Sequence, residues 1–94
     1  MPEIEIYTSS WCPYCAAAKR LLDRKGVAYR EIAAPSGSAA RAEAEARSGG
    51  RTSVPQIFVD GRPLGGYDDI AALDRAGELD GLLGTAGSAT AHPR

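Results

Sequence analysis

Residues 3–7 read Glu, Ile, Glu, Ile, Tyr, a period of two that predicts a short strand, and Thr8-Ser9-Ser10 breaks the alternation ahead of Trp11. From Pro13 to Lys25 the period changes. Ala17, Ala18, Leu21 and Leu22 form an i, i+1, i+4, i+5 stripe and Gly26 supplies a stop, so an amphipathic helix is expected. Residues 27–32 read as a second strand. It follows the helix closely enough to complete a right-handed β-α-β crossover with parallel strands.

Residues 36–48 are Ala-rich, and Arg41/Glu45 and Glu43/Arg47 stand four apart, which predicts a helix with only small apolar groups to anchor it. Residues 56–59 and 62–64 flank Asp60-Gly61, a dipeptide suited to a two-residue hairpin turn because both positions take positive φ. Gly65-Gly66 then leads to Tyr67-Asp68-Asp69, where a carboxylate can cap a helix carrying Ile70, Leu73 and Ala76; Leu79, Leu82 and Leu83 add a further turn or two. The order β-α-β-α-β-β-α-α implies an α/β domain, a mixed four-stranded sheet flanked by helices. It is expected to span residues 1–84. Residues 85–94 hold small and polar groups with no large apolar side chain, and read as a flexible tail whose ordering entropy no burial offsets.

Composition narrows the function. Ninety-four residues allow one modest core, so a single domain must carry the whole activity. The 11 basic and 12 acidic residues are interspersed, without the basic patch that nucleic acid or an anionic membrane requires. No apolar run is long enough to span a bilayer, and the first residues lack the basic and apolar regions of a leader. A cytoplasmic monomer with no nucleic-acid or membrane partner is the expectation.

Both cysteines of the chain lie in one motif, Cys12-Pro13-Tyr14-Cys15, so no second pair exists for a disulfide framework. The motif falls between the first strand and the first helix. A cysteine at a helix start meets unpaired backbone N–H groups and the positive end of the macrodipole, which favour the thiolate that disulfide exchange needs. Cys12 occupies that position. Pro13 suits the first helical residue because its missing N–H costs nothing there, and the amide of Cys15 is free to point back at the Cys12 sulfur. Cys15, one turn inside, is expected to stay a thiol. Mononuclear zinc would need four ligands, and His92 is the one other soft candidate, so no metal is assigned.

With these residues in view, the chain resembles the dithiol glutaredoxins of bacteria. Tyr7-Thr8, Cys12-Pro13-Tyr14-Cys15, Val54-Pro55-Gln56-Ile57-Phe58, Asp60-Gly61 and Gly65-Gly66-Tyr67-Asp68-Asp69 match that family in order, from Glu3 to about Leu83. The resemblance implies a thioredoxin-like fold and a thiol:disulfide oxidoreductase. Its catalytic pair would be Cys12 and Cys15, with no tightly bound cofactor and glutathione as co-substrate. The implied partners are glutathione and glutathionylated or disulfide-bonded proteins. The resemblance also implies a cis Val54-Pro55 bond that turns the Val54 backbone toward the cysteines. Gly66, Tyr67, Asp68 and Asp69 would take the γ-glutamyl end of glutathione, its carboxylate on backbone amides and its ammonium on an Asp. Tyr14 would flank the tripeptide.

Three departures from the family pattern stand out. Many relatives carry Lys where this chain has Ser9, which removes one expected partner for the glycine carboxylate of glutathione. Ser53 stands in the place of a common threonine and keeps the hydroxyl. Trp11 before Cys12 is shared with mycoredoxin-like proteins, which use another low-molecular-weight thiol. Two rival readings follow. One is a module in which two protomers hold an iron–sulfur cluster through Cys12 and external thiols, a reading that Pro13 argues against because relatives of that kind usually carry a smaller or more flexible residue there. The other is a redoxin recharged by a different thiol or by a flavoprotein reductase.

Overall fold

β1 (Ile4–Thr8) is buried along its whole length, and its alternation feeds two separate cores. Ile4 and Ile6 face α1 (Pro13–Arg24), where they meet Ala18, Leu21 and Leu22, while Tyr7 joins Ala34, Ala44 and Phe58 on the opposite face. The structure, a computed structural model, describes residues 2–84, and the predicted tail at 85–94 lies outside the described residues. The element order continues with β2 (Arg30–Ala33), α2 (Ala39–Arg47), β3 (Gln56–Val59), β4 (Arg62–Gly65), α3 (Tyr67–Arg75) and α4 (Leu79–Leu83). The sheet has the order β2-β1-β3-β4, parallel between β1 and β2 and antiparallel elsewhere. This is the mixed four-stranded α/β arrangement that the pattern predicts. Pro63 sits in edge strand β4, where its missing N–H removes no ladder bond on the open side.

Two boundaries differ from the sequence pattern by more than a single residue. The second strand begins at Arg30 and not at 27: the parallel ladder opens at Glu5↔Arg30, so little of β1 lies upstream to pair with Val27 or Tyr29. Those two side chains still pack against the larger core. The second helix begins at Ala39, because Ser38 is its cap, its Oγ accepting from Arg41 N–H at 3.1 Å. Asp60 and Gly61 adopt φ of 52° and 81°, as the hairpin turn requires.

α2 buries only Ala44, and polar bonds fix it instead. Arg41 Nη1 donates to the Ala34 carbonyl at 2.9 Å and its Nε to the Thr52 carbonyl at 3.1 Å, which ties the helix to the loop leading into Val54. Arg47 donates to Glu5 Oε1 at 2.8 Å and to the Tyr7 hydroxyl at 2.7 Å, and its guanidinium lies 4.3 Å from the Phe58 ring centroid. Arg30 also bonds Glu5. The hydrogen bond from Arg47 is the main reason the Glu5 carboxyl lies below its ordinary value of 4.5, against the upward push of burial. A lowered native value means stability that is present above 4.5 and is lost as pH falls through that lowered value. Urea midpoints should therefore begin to fall below about pH 4.5, and Glu5→Gln should flatten that part of the profile. Arg47→Met leaves a nearly buried carboxylate half-paired and should cost about 2 kcal/mol at neutral pH. An unmoved midpoint in Arg47→Met would show that this cluster contributes nothing.

Candidate active site

The site forms where β1 ends and α1 begins. Trp11 takes φ of 59° and turns the chain out of the strand, leaving its side chain 99% exposed at the rim. Cys12 is the N-cap of α1 with extended backbone, Pro13 fills the first turn, and the Cys15 N–H donates to Cys12 Sγ at 3.1 Å. The Cys12 sulfur therefore sits at the N-terminus of the helix with a backbone donor pointed at it. Cys12 is half-buried and reachable from solvent, whereas Cys15 is 2% exposed. Burial first, then the hydrogen bond and charge of Cys12, push the Cys15 thiol up to about 12. The Ser9 backbone hydrogen bond and the Lys19 charge pull the other way. Both thiols are free.

The Val54-Pro55 bond is cis, and the Val54 carbonyl lies 3.8 Å from Cys12 Sγ, within reach of its S–H. Gln56, fully buried on β3, donates from Nε2 to the Ser53 carbonyl at 3.1 Å, so the turn before Val54 is held from below. On one flank of Cys12 a cleft of about 160 Å³ is lined by Tyr14, Ser53, Val54, Pro55, Gly66, Tyr67, Asp68 and Asp69, together with Arg51. The sequence-derived site residues other than the cysteines thus converge on one wall. Tyr14 and Tyr67 face each other with ring centroids 6.3 Å apart.

Within this cleft the two aspartates have different tasks. Asp69 Oδ2 accepts from the Gly66 N–H at 2.8 Å and from Arg51 Nη1 at 2.9 Å, and the first of these bonds is the main cause of its lowered carboxyl. Asp68 is exposed, with no bond to another described side chain. Arg51 shares the cleft, whereas Arg47 is committed to Glu5 and Tyr7 across the sheet. Ser9 is not in this cleft. It lines a wider cavity of about 650 Å³ on the other flank, with Trp11, Cys12, Cys15, Lys19 and Glu31. Sequence patterning missed the Lys19–Glu31 pair, which joins α1 to β2 at 3.0 Å. Its one signal was that Lys19 stands four residues after Cys15. The smaller cleft brings together the start of α3, the backbone beside the cis bond and Arg51, whereas the wider cavity has Lys19 and Glu31.

Among the described residues no three His, Cys, Asp or Glu side chains gather as a metal site, and His92 lies outside them. No helix among them is long and apolar enough to cross a membrane.

Comparison with known proteins agrees with this geometry. The family model described as Glutaredoxin matches residues 4–64. A glutaredoxin of Pseudomonas aeruginosa is 54% identical over 83 residues, covering 88% of this chain and 98% of the relative. The solution structure of glutaredoxin from Brucella melitensis superposes with a TM-score of 0.78 at 49% identity, covering 92% of each chain. A buckwheat glutaredoxin–glutathione complex gives 0.78 at 29% identity, covering 92% of this chain and 80% of that one. A Cys-Pro-Tyr-Cys motif opening a helix beside a cis proline, on this sheet and with these relatives, means that the chain belongs to the glutaredoxin family of thiol:disulfide oxidoreductases.

Proposed function

We propose that the chain reduces glutathione mixed disulfides and protein disulfides, with glutathione as its electron donor and Cys12 as the nucleophile. The observation that carries this reading is the cleft that runs from Val54, whose carbonyl lies 3.8 Å from Cys12 Sγ, to the N-terminus of α3. A tripeptide laid along it meets complementary groups in the order its own chemistry needs. Its cysteine backbone pairs with Val54, as an extended peptide pairs with an exposed strand edge. The γ-glutamyl carboxylate takes the N–H groups at the start of α3, of which Gly66 N–H is already occupied by Asp69, and the ammonium takes Asp68, which has no side-chain partner among the described residues. Arg51 spends one donor on Asp69 and has others for the glycine carboxylate. Tyr14 covers the tripeptide from the α1 side.

In the reaction the Cys12 thiolate attacks the glutathione sulfur of a mixed disulfide, and the target leaves as a thiol. A second glutathione then releases Cys12 and departs as glutathione disulfide. With a protein disulfide, Cys15 attacks Cys12 and frees the substrate. The buckwheat relative is described as a glutathione complex, which supports the same ligand here.

Steady-state reduction of a glutathione mixed disulfide tests the donor: turnover should saturate with glutathione and should exceed that with mycothiol. Preference for mycothiol would transfer the reading to the other thiol. Arg51→Gln should weaken glutathione binding roughly fivefold, about 1 kcal/mol for a half-exposed ion pair, and the loss should shrink as salt is raised. A salt-independent loss would point to packing and not to charge. If Arg51→Gln has no effect, the glycine carboxylate lies elsewhere, and Ser9→Lys then becomes the substitution expected to tighten binding.

A further inference from the structure

The wide cavity on the far flank of Cys12 lies outside the cleft proposed for glutathione, and both cysteines line it, Cys12 half-buried and Cys15 almost wholly covered. Its ionisable lining is Cys12, Cys15 and Lys19 from α1 and Glu31 from β2. Lys19 lies one helical turn beyond Cys15, on the same face of α1. Lys19 Nζ is 3.0 Å from Glu31 Oε2, and that oxygen also accepts from Thr8 Oγ1 at 2.7 Å. The ammonium is therefore held in place over the cavity by two strands.

We propose that Lys19 is a positioning residue for the second half of the reaction: its charge, fixed by Glu31, promotes ionisation of Cys15 after Cys12 has been taken into a mixed disulfide. The proposal rests on the reading of Cys15 as the resolving thiol. Its support is geometric: Lys19 and Cys15 stand four apart on one face of α1, line the same cavity, and the ammonium is tied down by Glu31; the influences on Cys15 divide in the same sense, with Lys19 the smallest of them. Burial, the Cys12 hydrogen bond and the Cys12 charge hold Cys15 as a thiol; the Ser9 backbone and Lys19 favour its thiolate. Once Cys12 is bonded to a substrate sulfur it carries no charge, so that part of the opposition disappears while Lys19 remains. Cys15 is thus held back until there is a bond to resolve. The Cys15 S–H then gives its proton to solvent in the cavity, and the thiolate attacks Cys12 Sγ. The Cys12–Cys15 bond forms as the bond from Cys12 to the substrate breaks. The electron pair leaves on the substrate sulfur, which takes up a proton from solvent. Over the two steps the dithiol loses two electrons and the substrate disulfide gains them.

Rapid mixing of the reduced full chain with an aromatic disulfide that releases a coloured thiolate resolves the two steps. The first phase reports attack by Cys12, and the second reports release by Cys15. Lys19→Met should slow the second phase about threefold to tenfold relative to the first at neutral pH and move its pH midpoint upward, as expected for one charge near a partly shielded site. Lys19→Arg should restore it. Glu31→Gln keeps a side-chain oxygen that can accept from Lys19 and Thr8, so the ammonium stays in place while its neutralising charge is gone, and the midpoint should move downward. Opposite signs for the two variants distinguish a field on Cys15 from a merely structural ion pair, whose loss would act in one direction. A midpoint unmoved by Lys19→Met, or moved the same way by both variants, overturns the proposal. Cys15→Ser must abolish the second phase; if the phase survives, the resolving role itself fails and the proposal fails with it.

Discussion

Cys12→Ser should lose all disulfide exchange, by a factor of about a thousand or more, because a hydroxyl at neutral pH supplies no anion to attack sulfur. Cys15→Ser should divide the activities. Reduction of a glutathione mixed disulfide needs only Cys12 and a second glutathione, so it should persist at a rate within a few-fold of the parent. Reduction of a protein disulfide with limiting glutathione should fall by roughly tenfold to a hundredfold, because the mixed disulfide with the protein loses its internal route of release. The asymmetry follows from the site. Cys12 is accessible and receives the Cys15 N–H at 3.1 Å, whereas Cys15 is buried and is held as a thiol with a pKa of about 12. The backbone donor belongs to residue 15 whatever its side chain, so serine there preserves it. Equal losses for Cys15→Ser in both assays would remove the distinction between nucleophile and resolving thiol.

Local signals in the sequence carried much of this site because its chemistry is local. A thiol at a strand-to-helix turn, a proline at the first helical position and an amide three residues on are all contained in Cys12 to Cys15, and the hydrogen bond between them follows from helix geometry. Asp60-Gly61 likewise determines its own turn. The cleft required the resemblance, because nothing in the spacing of Tyr14, Val54 and Asp68 says that they share a wall. What stayed hidden depends on contacts between distant elements. Arg47 and Arg51 are equivalent candidates along the chain, and only the turn after α2 sends one to Glu5 across the sheet and the other into the cleft. Lys19 and Glu31 meet because β2 starts at Arg30, a boundary set by the length of β1 and not by the hydrophobic run that begins at Val27.

Gly65→Ala should damage glutathione binding more than any single change in a cleft side chain, although residue 65 has no side chain to offer. Gly65 closes β4 opposite Ile57 at a register shift, where β4 carries an extra residue, and its φ of 105° is a conformation that a side chain strongly disfavours. A Cβ built there would lie 2.6 Å from Asp69 Cγ and 2.8 Å from Asp69 Cβ. Rotation of Asp69 would move its carboxyl aside but not its Cβ, so the start of α3 must shift as well. Rotation breaks the bond to Gly66 N–H and the pair with Arg51, which costs about 1 kcal/mol for the cap and little for the exposed ion pair. Backbone strain adds about 1–3 kcal/mol, for a total destabilisation of roughly 2–4 kcal/mol. Glutathione affinity should fall about tenfold or more, since Asp68, Arg51 and the remaining N–H groups at the start of α3 are displaced together. Alkylation of Cys12 by a small reagent should change little, because the sulfur is set by α1. Gly66→Ala is the informative contrast: its φ of −94° accepts a side chain, and its Cβ would make one tight contact, with the Pro55 carbonyl at 3.3 Å, in place of the severe overlap at residue 65. Adding Asp69→Ala to Gly65→Ala should recover part of the stability by removing the conflict with the carboxyl group, although the approach to the residue 69 Cβ stays, whereas Asp69→Ala alone should lower it. Strict additivity of the two changes would mean that the steric conflict with Asp69 is not what makes glycine necessary at this position.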